Sequence, residues 1–154
     1  MTTTMFLLKY LLTSLVAGVL AGLAMEGVML LISRVGLAKG DMILALGSLL
    51  TKSRDNAYRV GFIVHATVAM GFALVYTLLM VTLGYTHMPM SLMLGLGVGV
   101  MHGLLVSLML VWVVAERHPL EEFNEATLAI GLSHLVGHVV FGGVIGLVVG
   151  ISPL

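Results

Sequence analysis

Five residues able to hold a proton or ligate a cation lie inside long apolar stretches of this sequence: Glu26, His65, His102, His134 and His138. An ionisable side chain in hydrocarbon is costly, which makes each of them a functional candidate. Counting helical rise inward from the polar residues that flank each stretch places Glu26, His65 and His134 roughly 9–13 Å deep, at one level. The same count places His102 and His138 roughly 20 Å deep, near the bilayer centre and one helical turn further in. His134 and His138 are four residues apart and share one helix face.

One carboxylate and two imidazoles form a donor set suited to Fe(II), Zn(II) or Mn(II), and low-dielectric surroundings strengthen attraction to a cation. Glu26, His65 and His134 are therefore candidate metal ligands. His102 and His138, with glycines around them to admit a macrocycle, are candidate axial ligands of a haem between helices. With no cofactor, the same groups could pass protons, since imidazole titrates near neutrality. The plainest alternative is structural: a buried Glu hydrogen-bonds a buried His and holds two helices together with roughly 0.5–2 kcal/mol. Among the twelve methionines, Met25, Met70 and Met101 carry thioethers of the kind that bind Cu(I). Unbranched Met is also an adaptable packing residue, and that is the stronger reading here. His87, Met88 and Met90 around Pro89 make either a copper-catching trio or an ordinary turn.

The elements that must position these groups follow from composition. Of 154 residues, 60% are hydrophobic and 9% charged, and the mean hydropathy is +1.16. Soluble domains do not have this composition. Apolar runs cover about 5–33, 58–83, 90–115 and 126–151, each meeting the roughly 20 residues that cross a hydrocarbon core. None alternates in polarity as barrel strands would, which makes a helical bundle much the better reading. The predicted fold class is an all-α integral membrane protein, a four-transmembrane-helix bundle in a single domain over 1–154. Small residues run down each span: Gly18, Gly22 and Glu26; Gly61, His65 and Ala69; Gly95, Gly99 and Gly103; His134, His138, Gly142 and Gly146. Such stripes let membrane helices approach closely and turn the ionisable groups toward neighbouring helices. Spans one and three share the glycine spacing, and spans two and four share an early His. The pattern suggests two parallel pseudo-repeated helical hairpins.

Gly84 to Pro89 makes a tight turn, whereas Arg34 to Ala57 and Glu116 to Glu125 form longer connections on the opposite side. The first contains an interfacial helix predicted over about 41–50, capped by Asp41. Arg34, Lys39, Lys52, Arg54, Arg59 and Arg117 sit on that side and only Lys9 on the other, so the long connections are expected in the cytoplasm and both termini outside a plasma or inner membrane. Tyr10 and Tyr85 on one side, with Tyr58 and Trp112 on the other, suit interfacial belts. The N-terminal run lacks the basic start of a cleavable signal and is expected to be a retained span. The acids Glu116, Glu121, Glu122 and Glu125 are expected to favour the start of the fourth helix and to pair with the basic first connection.

A net charge of zero leaves no electrostatic footprint for nucleic acid. The absence of cysteine excludes disulfides and thiolate sites. No glycine loop joins a strand to a helix for phosphate, and Ser14, Ser107 and Ser133 have no triad context. The expected function is a transition metal (Fe, Zn, Mn or Cu) or haem bound within the bundle. Two rivals stand beside it: an accessory or assembly subunit of a larger membrane complex or homo-oligomer, and translocation of protons or cations.

Overall fold

In the computed structural model, residues 2–38, 41–110, 115–125, 127–152 and 154 are described, and no strand occurs among them. The helices are α1 (Thr3–Arg34), α2 (Met42–Thr51), α3 (Ala57–Leu83), α4 (Met90–Met109), the single turn α5 (Ala115–Arg117) and α6 (Leu128–Ile151), with a 3-10 turn at Glu121–Phe123 before α6. Four of them, α1, α3, α4 and α6, are long and apolar enough to cross a membrane. The shortest, α4, has 20 residues, about 30 Å of rise, which matches a hydrocarbon core. The chain is an all-α membrane bundle. Lys39, Trp112, Ala126 and the end of the third predicted span, 111–114, lie outside the described residues.

Local sequence explains the boundaries. Each of three helices starts at a short polar side chain that accepts an otherwise unpaired backbone N–H: Thr2 from Met5 at 3.3 Å, Asp41 from Leu44 at 3.0 Å and Thr127 from Ile130 at 3.3 Å. Gly84 ends α3 with φ 72°, a left-handed conformation that costs glycine little. The short helix predicted over 41–50 is present as α2.

The four long helices are arranged in the order α3, α1, α6, α4. α4 lies most closely on α6, α1 bridges α6 and α3, and α3 and α4 scarcely meet although a tight turn joins them. Bare backbone explains the α4–α6 seam. A Cβ added to Gly99 would stand 2.6 Å from the His138 carbonyl oxygen, and one added to Gly103 would stand 2.9 Å from Leu135 Cα. The α1–α3 seam uses alanines instead: Ala17, Ala21, Ala69 and Ala73 are all buried. α2 is held against α3 by a glycine pair, since a Cβ on Gly47 would land on the Ala57 carbonyl and one on Gly61 on the Ile43 carbonyl. Leu7, Leu8, Leu11, Leu15 and Leu23 on the outer face of α1 are exposed, as suits a surface solvated by lipid.

Candidate functional site

Helix order brings the ionisable residues into two adjoining groups. In the first, α1 supplies Glu26 and α3 supplies His65, with Glu26 Oε1 and His65 Nε2 3.1 Å apart. That separation suits a charge pair, yet the two atoms are out of line for a hydrogen bond, and each is buried without another partner. α6 supplies His134, which is almost wholly buried and lies within electrostatic range of both Glu26 and His65. Its Nδ1 is 2.8 Å from the Ile130 carbonyl oxygen. A carbonyl only accepts, so the proton of the neutral ring sits on Nδ1 and Nε2 carries a lone pair. That Nε2 is buried and unpartnered. No three carboxylate, imidazole or thiolate groups among the described residues are gathered closely enough to hold a metal ion. Glu26, His65 and His134 are thus neighbours without forming a closed coordination sphere.

The second group is one turn deeper. The rings of His102 on α4 and His138 on α6 meet edge to face, with centroids 4.5 Å apart and planes at 67°. A haem held by two imidazoles takes one on each face of its plane. Two rings in edge contact leave no plane between them, so His102 and His138 do not fit as an axial pair in this arrangement. His138 Nδ1 donates to the His134 carbonyl oxygen at 2.7 Å, which again leaves the lone pair on Nε2. His102 Nδ1 is 3.1 Å from the Tyr76 hydroxyl, which itself lies 3.3 Å from the Val98 carbonyl oxygen. Phe72 packs against His102 at 4.1 Å between ring centroids, and Phe141 meets Tyr76 edge-on at 5.9 Å. Tyr76 is absent from the residues picked out by the sequence. Its signal was there, because it continues the His65, Ala69, Ala73 stripe at helical spacing.

Because α3 and α4 stand apart, a cleft of about 940 Å³ opens between them. Its walls are apolar, from Val68, Phe72 and Leu79 on α3 and Val98, Met101 and Leu105 on α4, and its lining also carries His65, His102, His134, His138 and Phe141. Near the long connections it reaches α2 and the ion pair of Arg54 with Glu122, in which the guanidinium grips the carboxylate through bonds of 2.7–2.9 Å. This is the expected attraction between the basic and acidic connections. His118, buried beside them, ties the second connection to α2: Nε2 donates to the Ala45 carbonyl oxygen at 3.0 Å while Nδ1 accepts from Leu120 N–H at 3.1 Å. At the opposite turn the Met88 sulfur accepts from Ser91 Oγ at 3.7 Å, a packing contact, and no metal group forms there among the described residues.

Fold and site together define a multi-pass helical membrane protein with an apolar cleft backed by imidazoles. No protein-family model matches the chain, and no match is found among curated proteins or solved structures.

Proposed function

We propose that the protein binds an apolar small molecule dissolved in the membrane, seated between α3 and α4. The observation that carries this reading is the cleft of about 940 Å³ with the imidazoles of His65, His102, His134 and His138 along it. Small-molecule pockets span roughly 300–1,000 Å³, mostly apolar with a few placed polar groups. Translocation is less well supported. Beyond Tyr76 the bundle is filled by Met80 and Val149, so the ionisable series stops near mid-membrane. The test is photolabelling in nanodiscs with a diazirine-bearing long-chain alcohol, followed by peptide mapping. Labels concentrated on the cleft faces of α3 and α4 are expected; labels spread evenly over every lipid-facing helix, the Leu-rich face of α1 included, would refute the reading.

The proposed topology puts Lys52, Arg54, Arg59 and Arg117 in the cytoplasm, with the Arg54 end of the cleft on that side. Because the chain has no cysteine, single cysteines at Lys52 and Tyr85 can be probed with an impermeant maleimide. Labelling of the Tyr85 position alone in right-side-out vesicles is the expected result, and the reverse pattern inverts the topology.

A second reading, transition-metal binding by Glu26, His65 and His134, is favoured by one observation. Glu26 Oε1, His65 Nε2 and His134 Nε2 are three of the four buried side-chain polar atoms without a hydrogen-bond partner among the described residues, and such atoms are costly to leave unsatisfied. The 3.1 Å between Oε1 and Nε2 is close to the roughly 3.3 Å that separates two ligands of a tetrahedral Zn(II) with bonds of about 2.0 Å. Binding would require the three groups to draw inward. One equivalent of metal in chelator-free protein, lost in Glu26→Gln, is the expected outcome. Metal-free protein whose melting is unchanged by added Zn(II) or Mn(II) would reject it.

A further inference from the structure

Resting on the cleft reading above, we infer that the bound molecule carries a neutral aromatic head with hydroxyl donors, a phenol or hydroquinone with a hydrocarbon tail. Three features select this chemistry.

The first is tautomeric. The backbone carbonyl of His134 takes the Nδ1 proton of His138 at 2.7 Å, so His138 offers Nε2 as an acceptor, and this nitrogen makes no hydrogen bond among the described residues. His138 lines the cleft. A ligand atom that meets Nε2 must therefore bring its own proton; a carbonyl or ether oxygen would set lone pair against lone pair. A quinone, which has only acceptors, is excluded from this contact, whereas its reduced hydroquinone is admitted.

The second feature is depth. His138 sits near mid-membrane, where a charged head would be expensive without a partner. The cationic group lining the cleft, Arg54, is at its far end and is already committed to Glu122. Phosphate-bearing lipids and fatty carboxylates are disfavoured on this ground, and a neutral hydroxyl is not.

The third feature is the lining beside the acceptor. Phe72, Tyr76 and Phe141 surround the two imidazoles, and rings pack on one another edge-to-face or offset with favourable geometry. An aromatic head fits such a wall better than an acyl chain does, while the apolar remainder of the cleft accepts the tail. The Tyr76 hydroxyl, shared between His102 and the Val98 carbonyl, is placed to accept from a second hydroxyl.

The test compares dodecylhydroquinone with its dimethyl ether, which has the same ring and tail but no donor, on the full-length chain in nanodiscs. The hydroquinone should bind about tenfold more tightly, the worth of one well-made hydrogen bond. It should also shift the imidazole ¹⁵N resonance of His138 Nε2 in the direction of an accepted hydrogen bond. His138→Phe should reduce hydroquinone affinity to that of the ether. Equal affinity of the two probes for the native protein, or an unmoved Nε2 resonance, overturns the donor-head inference and leaves the cleft reading standing. Failure of both probes to bind, with bulk acyl chains alone in the cleft, overturns both. The native-protein comparison decides the matter even if His138→Phe does not fold.

Discussion

The α4–α6 seam can be opened at one atom. In Gly99→Ala the new Cβ would stand 2.6 Å from the His138 carbonyl oxygen and 3.0 Å from Val139 Cα. Both are backbone atoms, so no side chain can swing aside. α4 must then withdraw from α6, and a retreat of about 0.5–1 Å forfeits a quarter to a half of the dispersion energy of the contacts it opens. Overpacking of this kind costs about 2 kcal/mol, which for a chain of this size lowers Tm by about 4–8 °C. Gly97→Ala is the control. It lies on the same helix two residues away, with nothing within 4 Å of its added Cβ, and should change stability by no more than about 0.5–1 kcal/mol, in the favourable direction because Ala gains helix propensity. Thermal melts followed by circular dichroism in one detergent would separate the two. The displaced carbonyl belongs to His138, so Gly99→Ala should also loosen the His102–His138 ring contact and, on the proposed cleft reading, weaken binding of the hydroquinone probe. Coincident melts of the two variants would show that α4 and α6 are not in backbone contact, and the cleft geometry built on that seam would fall with it.

Three further outcomes are expected. Arg54→Gln should cost no more than about 1 kcal/mol, since both partners of its pair with Glu122 are largely exposed, and the loss should shrink in high salt; a salt-independent loss of several kcal/mol would contradict the exposure. His118→Ala removes the tie from the second connection to the Ala45 carbonyl of α2, and with it the Leu120 N–H bond that orders the connection itself; hydrogen exchange should quicken over residues 42–51 at a cost of about 1–3 kcal/mol, and unchanged exchange there would mean α2 is held by the Gly47–Gly61 contact alone. Thr77 is fully buried with a hydroxyl that has no partner, so Thr77→Val, near in shape, should raise stability by about 1 kcal/mol. A drop in Tm would reveal a hydrogen bond to that hydroxyl.

How much of this was legible beforehand depends on what each feature is made of. The spans are written in single runs of apolar residues, and bilayer thickness turns run length into helix length, so the runs at 58–83 and 126–151 and helices α3 and α6 agree to within two residues. Asp41 announced α2 because an N-cap is a local interaction. The grouping of Glu26 with His65, and of His102 with His138, followed from depth alone, since helices that cross the same slab must bring equal depths to one level. Depth carries no information about rotation, however. The edge contact of His102 with His138, which is not the arrangement of an axial pair, is set by how α4 turns on α6, which the Gly95, Gly99 and Gly103 backbone decides. The cleft was less legible still. The short turn at Gly84–Pro89 makes α3 and α4 look like a packed hairpin, but α4 can lie bare-backboned on α6, whereas its face toward α3 carries Val98, Met101, His102 and Leu105. Close backbone approach on one side therefore leaves bulk on the other, and bulk holds the neighbour away. The empty space between two consecutive helices is thus a consequence of the glycine stripe, and the same stripe sets His138 in its lining.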